Sequence, residues 1–237
     1  MSKFPFNHIL LKLSGEALMG NKDFGIDINT IHSISNQIAT ISTQGQKISI
    51  VVGGGNIFRG ISAKEQGMDR TSADYTGMMA TVINALLLQN SLEKLKISTR
   101  VMSAIKMDTI CEPYIRRRAI RHLEKNRILI FAAGTGNPYF TTDTAAALRA
   151  SEMQCDAIFK ATKVDGIYSD DPKKNKNAKK FENLSYNDVI KNDLRIMDTS
   201  AISLSRENKI AIVVFSILKK DALINACNGK GSFTIID

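Results

Sequence analysis

A chain of 237 residues and 26.1 kDa has room for one α/β domain or two small lobes, and its 43% hydrophobic content excludes a disordered polymer. Lys and Arg outnumber Asp and Glu by 32 to 23, and the resulting formal net charge of +9 suits anionic partners such as nucleic acid, nucleotides or a phosphorylated metabolite. Only 6% of residues are aromatic and Trp is absent, which argues against a base-stacking surface for single strands.

Residues 8–14 (H-I-L-L-K-L-S) form a near-continuous apolar strand interrupted by Lys12 and ended by Gly15. An interior strand carries a lysine when its head reaches a site at the strand's carboxyl end. Residues 20–27 (G-N-K-D-F-G-I-D) are a polar loop with two glycines. Ile31, Ile34, Ile38 and Ile41 then recur at helical spacing over 29–44, with Gly45 as the stop. Residues 47–52 (K-I-S-I-V-V) are a second strand, followed at once by Gly53, Gly54, Gly55 and Asn56. A short stretch, 57–67, has helical character and carries Arg59. A long helix over 71–95 has Asp74 in its first turn and Met78, Met79, Val82, Ile83, Leu86 and Leu87 as its expected inner face. A brief strand at 100–103 precedes a helix over 113–126 crowded with Arg116, Arg117, Arg118, Arg121 and Lys125. A solvated face or a subunit contact accounts for that cluster better than a nucleic-acid helix does.

Residues 127–133 (R-I-L-I-F-A-A) read as a buried parallel strand, and 143–153 as a helix. Between them Gly134 and Gly136 permit backbone angles closed to other residues, and Thr141, Thr142 and Asp143 stand where caps are expected. Bare N–H groups and hydroxyls at a helix start suit an anionic oxygen. Strand 157–162 leads to a sharp turn at Asp165 and Gly166, and 172–180 is a lysine-rich loop expected to be mobile. Helices over 185–192, 199–208 and 221–228 and strands at 210–217 and 232–236 complete the chain. Strands alternating with helices predict an α/β fold, a mainly parallel sheet covered on both faces, with no domain linker.

Cys111, Cys155 and Cys227 are far apart and odd in number, which predicts free thiols in a reducing compartment. His8, His32 and His122 have no zinc spacing, and no metal ligand set is expected. No apolar run approaches membrane-spanning length, so a soluble cytoplasmic protein is expected.

Three glycine turns each follow a strand: Ser14 and Gly15, then residues 53–56, then 134–137. In an open α/β sheet, loops at the carboxyl ends of strands converge on a ligand. None fits the G-K-[ST] phosphate loop, the G-x-G-x-x-G dinucleotide fingerprint or the protein-kinase motifs. Singly, Lys12 is accounted for as a strand-end lysine, Asp143 as a helix cap and Asp74 as a first-turn acid. Together with three glycine turns they point to phosphoryl transfer, in which positioning and charge neutralisation do most of the catalysis.

The segments K-L-S-G-E-A-L, V-V-G-G-G-N-I-F-R-G, A-D-Y-T-G-M-M-A-T, A-A-G-T-G-N-P-Y-F-T-T-D-T-A-A and K-A-T-K-V-D-G-I-Y-S-D-D-P resemble, in order, those of the bacterial uridylate (UMP) kinase branch of the amino-acid kinase superfamily. The resemblance implies a three-layer αβα sandwich in a single domain over 1–237, its N-terminal part mainly UMP site and subunit contacts and its C-terminal part mainly ATP site. It implies that Lys12, Leu13, Ser14 and Gly15 meet the ATP phosphates, and that Gly55 and Arg59 meet the phosphates between the two nucleotides. Thr162, Tyr168 and Asp171 would hold the adenosine. UMP would be held by Gly54, Asp74, Thr135, Gly136, Asn137, Pro138, Tyr139, Phe140, Thr141 and Thr142. Lys12, Arg59 and Asp143 would be catalytic. The family uses Mg²⁺ with ATP and forms hexamers. Activation by GTP, associated with Gly20, Asn21, Lys22, Asp23, Phe24 and Gly25, and inhibition by UTP are further implied.

Two rival readings remain at this level. One is a relative that phosphorylates a carboxylate or carbamate, against which residues 134–142 argue. The other is a basic nucleotide-sensing or DNA-binding regulator on the same fold.

Overall fold

The computed structural model describes residues 5–58, 67–170, 172, 174–175, 177–192, 194 and 196–237. Arg59, Asp171, Lys173 and Lys176 lie outside the described residues, as does most of the short helical stretch expected at 57–67.

The central strands are β1 (His8–Leu13), β2 (Lys47–Val52), β3 (Thr99–Ser103), β4 (Glu112–Pro113), β5 (Ile128–Ala132), β6 (Ala157–Thr162), β9 (Asn183–Leu184), β10 (Ala211–Ser216) and β11 (Phe233–Ile236). Among the described residues they make one sheet in the order β4-β3-β5-β2-β1-β6-β10-β11-β9, parallel except where β11 runs against β10. The short pair β7 (Ile167–Tyr168) and β8 (Lys180–Phe181) forms a separate ribbon.

The helices are α1 (Ile28–Thr43), α2 (Arg70–Lys94), α3 (Arg116–Glu124), α4 (Thr142–Glu152), α5 (Tyr186–Lys191), α6 (Thr199–Glu207) and α7 (Ala222–Cys227). Side chains alternate across a strand, so each strand feeds two cores. Ile9, Leu11 and Leu13 pack with the isoleucines of α1, with Met78 and Val82 of α2 and with Leu223 of α7. Leu10, Val51 and Ile158 face the other way, onto the alanines of α4 and onto Ile202 of α6. The result is the expected αβα sandwich with a mainly parallel sheet.

Alternation also fixes the direction of two charges. Lys12 shares its face with Leu10, and Lys160 with Ile158, so both lysines point toward the layer that contains α4.

Two local expectations need correction. Residues 112–113 pair with β3 instead of opening a helix, and α3 starts at Arg116. On α2 the buried face runs through Ala73, Met78, Val82, Ala85, Leu88 and Leu92, whereas Met79 and Ile83 are 39% and 46% exposed. One residue further along a helix is a turn of about 100°, which carries 79 and 83 outward beside Tyr75 as an i, i+4 row.

Candidate active site

β5, β2, β1 and β6 lie side by side and parallel, so the turns that leave their carboxyl ends are neighbours. The turns after β1 and β2 are in contact, and the second approaches the start of α4. Gly53 N–H donates to the Leu13 carbonyl at 2.8 Å. A Cβ placed on Gly15 would lie 2.6 Å from Gly55 N, and one on Gly53 would lie 2.9 Å from Gly15 N and 3.5 Å from Thr142 Oγ1. Gly54 is pressed against α2, where an added Cβ would come within 2.7 Å of the Gly77 carbonyl oxygen. Here only glycine fits, because the opposing atoms are backbone.

At the start of α4, Thr141 is the N-cap, its hydroxyl accepting from Asp143 N–H at 3.0 Å. Asp143 is thereby aimed back at the sheet. Its Oδ1 lies 2.6 Å from Lys12 Nζ and its Oδ2 2.7 Å from Lys160 Nζ. Both lysines are buried, and they are Cα partners in the register of β1 and β6. Burial alone would raise the Asp143 pKa, but Lys12 and Lys160 outweigh it and hold the carboxyl below its usual range. Burial lowers the Lys160 pKa, Asp143 opposes that shift, and Lys12 adds to it. Lys160 also donates to the Ile196 carbonyl. Two ammonium groups share one carboxylate at the carboxyl end of the sheet, and Asp198 adds a second negative charge near Lys160.

Asp198, the N-cap of α6, completes this corner: its Oδ2 accepts from Thr141 Oγ1 and, at 2.8 Å, from Thr144 Oγ1, and its Oδ1 accepts from Ala201 N–H at 2.9 Å. Sequence reasoning missed both Lys160 and Asp198. The rule that singles out Lys12, a lysine inside an apolar strand, applies equally to A-I-F-K-A-T. Asp198 gave no signal, because an aspartate before a helix reads as a cap.

A cavity of ≈ 520 Å³ is lined by Asp143 and Asp198 themselves, and two more adjoin this centre. One, of ≈ 280 Å³, is lined by Gly54, Asp74, Thr135, Phe140, Thr141 and Thr142 of the expected acceptor residues, and by Gly55 of those expected at the phosphates. It is also lined by Gly134 and by Phe58, Ala73, Gly77, Met78 and Thr81. Of these, Met78 reads in sequence as core. Gly136, Asn137, Pro138 and Tyr139 are in the same loop but do not line the cavity. Tyr139 adopts φ 72, a left-handed angle that costs a non-glycine residue on the order of 1 kcal/mol or more. A 2.7 Å bond from its N–H to Asp74 Oδ2 holds it there. Asp74 stands a full turn inside α2, since Asp69 is the cap, and Arg70 Nε donates to both of its oxygens at 2.9 and 2.8 Å.

The second cavity, of ≈ 630 Å³, is lined by Lys160, Thr162 and Tyr168 together with Val164, Ile167 and Val214. Tyr168 donates its hydroxyl to Asp165 Oδ1 at 2.7 Å, and Thr162 donates to the Val164 carbonyl at 2.6 Å. Desolvation would raise the Asp165 pKa, but hydrogen bonds from Tyr168, Lys219 and Ser232 hold it well below the usual carboxylate range. Ser14 caps the single 3-10 turn of Gly15–Leu18, accepting from Ala17 N–H at 3.2 Å. Leu13 is fully buried in the core and its carbonyl is taken by Gly53, so its side chain cannot touch a ligand. The loop that contains Gly20, Asn21, Lys22, Asp23, Phe24 and Gly25 meets the second glycine turn through a 2.7 Å bond from Gly25 N–H to the Asn56 carbonyl.

Among the described residues no group of three or more His, Cys, Asp or Glu side chains could cage a metal ion. The carboxylate oxygens of Asp143 and Asp198 are already engaged by lysines, hydroxyls and a main-chain N–H. That donor set fits a cation that arrives on a nucleotide's phosphates.

The model of the amino acid kinase family matches residues 7–216. The uridylate kinase of Wolbachia pipientis wMel is 58% identical over 235 residues, covering 99% of this chain and 95% of that protein. Among solved structures, the UMP kinase from Ureaplasma parvum superposes with a TM-score of 0.93 at 42% identity, over 97% of this chain and 98% of that one. The UMP kinase from Bacillus anthracis gives 0.95 at 40% identity, over 98% and 96%. Converging glycine turns, a paired-lysine centre and full-length similarity agree: the chain belongs to the amino acid kinase family, among its uridylate kinases, which are nucleoside monophosphate kinases.

Proposed function

We propose that the chain moves the γ-phosphoryl group of ATP onto UMP, reversibly giving UDP and ADP for pyrimidine nucleotide biosynthesis, with UMP in the smaller cavity and the adenosine in the larger. The observation that carries this is the Lys12–Asp143–Lys160 centre between the two cavities. The acceptor oxygen belongs to a phosphate whose second pKa is about 6, so it is ionised near neutral pH without a general base. What the protein must supply is alignment and positive charge at the transferring group. Lys12 supplies charge, Asp143 fixes the spacing of the two ammonium groups, and Lys160 is their counterpart on the ATP side. Arg59 is proposed to reach the same phosphates. Gly54, Asp74, Thr135, Phe140, Thr141 and Thr142 hold UMP, whereas Thr162, Tyr168 and Asp171 hold adenosine. Mg²⁺ carried in with ATP would add neutralising charge at the transferring group.

The whole of 1–237 acts as a single domain on this reading. Self-association, with a hexamer as the expected state, is supported by the exposed row Tyr75, Met79 and Ile83 on α2. Activation by GTP and inhibition by UTP are proposed on the resemblance, and the bond between Gly25 and Asn56 gives the 20–25 loop a path to the phosphate turns. A cytoplasmic location suits three free cysteines, and among the described residues no helix is long and apolar enough to cross a membrane.

A coupled assay with Mg-ATP across UMP, CMP, dUMP, glutamate and carbamate tests the reaction. UMP should be the preferred acceptor by a wide margin; turnover of glutamate or carbamate in its place overturns the assignment.

A further inference from the structure

Asn84 lies midway along α2 and is completely buried. Its Nδ2 donates to the Gly53 carbonyl at 2.7 Å and to Asn56 Oδ1 at 2.7 Å, while its Oδ1 accepts from Asn56 Nδ2 at 3.1 Å. Asn56, also buried, uses its remaining N–H on the Gly25 carbonyl at 3.0 Å. The two carboxamides therefore face each other reciprocally, and all four of their N–H bonds are used.

Three successive glycines have no side chains to fix their backbone, and glycine has the widest conformational range of any residue. Something else must hold the turn between β2 and the site. Asn56 Oδ1 would stand 2.5 Å from a Cβ on Gly15, so the amide pair packs against the first turn while bonding the second. One turn earlier on α2, Thr81 Oγ1 accepts from Ala133 N–H at 2.7 Å, immediately before the third turn. A single rigid helix thus grips the second and third turns from one face. Carboxamides suit the place because the Gly53 carbonyl needs a donor and the Asn56 side chain needs both a donor and an acceptor. A carboxylate at 84 could not donate, and an aliphatic side chain would leave buried polar groups without partners.

We propose that Asn84 and Asn56 are positioning residues for phosphoryl transfer: as a reciprocal amide pair they set the depth of the 53–55 turn relative to Lys12 and Asp143, acting through the backbone. Misplacement of reacting groups by about 1 Å costs about 10²-fold in rate. A defect of that origin falls on kcat more than on KM.

The proposal rests on the uridylate kinase reading, so the unaltered chain is assayed first; absence of UMP turnover there defeats that reading and not the amide pair. In folded Asn84→Leu, which keeps the volume and loses both donors, kcat should fall by about 10²-fold while KM for UMP and ATP stays within about threefold. Asn84→Asp should lose a similar factor. Adding Asn56→Ala to Asn84→Leu should cost less than about threefold more, because residues acting as a unit are not additive. A folded Asn84→Leu protein with kcat within about twofold of the unaltered chain overturns the proposal, as does full additivity of the two changes. Should the variants not fold, hydrogen exchange on the unaltered, nucleotide-free chain decides. The amides of Gly53, Ile57 and Phe58 should exchange as slowly as those of β2, and exchange at open-loop rates overturns the proposal.

Discussion

Lys12 and Lys160 occupy matched positions on neighbouring parallel strands, and each gives its ammonium group to a different oxygen of Asp143. The arrangement is unequal. Loss of either lysine leaves Asp143 paired with the other, whereas loss of Asp143 leaves two buried cations facing each other.

Lys12→Met should therefore fold, with a small change in Tm, and yet lose turnover. A charge directed at the transferring group acts mainly in the transition state, so kcat should fall by about 10²-fold or more with little change in KM. Steady-state kinetics on protein shown folded by circular dichroism is the check. An unchanged kcat removes Lys12 from the mechanism.

Asp143→Asn should be the more destabilising change. Removing one partner from a buried ion pair costs about 3 kcal/mol or more, and here two ammonium groups lose their counter-charge. Urea unfolding should show a midpoint well below that of Lys12→Met. Equal stability of the two variants contradicts the shared-carboxylate geometry.

The opposite end of the sheet predicts a pH dependence. His8 is buried, with Nε2 3.0 Å from Ser49 Oγ and beside the Cys155 thiol. Burial takes its pKa down from 6.5 to about 4; nearby Asp156 opposes the shift and Lys47 assists it. Because the folded value is depressed, the unfolded chain takes up the proton first. The contribution is intact above pH 6.5, declines as pH falls below it, and is gone once pH drops through about 4. A depression of that size corresponds to about 3 kcal/mol in all. Urea melts of the unaltered chain between pH 7 and 4 should lose that much more than those of His8→Gln, and parallel curves would exclude His8 as the cause.

The order of strands and helices was legible because apolar runs and helical spacing are local properties, and the caps at Thr141 and Ser185 stand where their residue types indicate. The glycine turns were legible for the same reason. What stayed hidden depended on strand neighbours. Lys160 becomes significant only once β6 is known to lie beside β1, and Asn84 only once α2 is known to cross the 53–55 turn. Helical spacing places Met79 and Ile83 inward, because hydrophobicity alone cannot distinguish a core stripe from an exposed apolar row next to it. Sequence position makes Asp74 a first-turn acid, but Asp69 is the cap and Arg70 pairs with Asp74.

GTP should raise the turnover of UMP, and changes at Lys22, Asp23 or Phe24 should weaken that response while basal kcat stays near its original value. Phe24 is 70% exposed, and Lys22 Nζ donates to the Ile26 carbonyl at 3.0 Å on the exposed side of the loop, so neither supports the core. A flat GTP titration on the intact enzyme returns the 20–25 loop to plain surface.

Asp74 tests the acceptor site. Its carboxylate lines the smaller cavity, is bonded by Arg70 and accepts from Tyr139 N–H at 2.7 Å, so it anchors the left-handed Tyr139 backbone at the rim. With Arg70 balancing its charge, a carboxylate can sit in the cavity proposed for UMP and still accept a hydrogen bond from a neutral hydroxyl. Ribose offers two such hydroxyls. A hydrogen bond to a charged acceptor contributes about 1.5–3 kcal/mol, equivalent to roughly ten- to a hundredfold in affinity. Asp74→Ala should weaken UMP binding on that scale, leave ATP binding nearly unchanged, and narrow the preference for UMP over dUMP if the 2′-hydroxyl is one of the groups held. Isothermal titration of UMP, dUMP and ATP against both proteins separates the outcomes. A loss for UMP and dUMP alike points to the Tyr139 loop as the element disturbed, and unchanged UMP affinity means that the acceptor lies elsewhere.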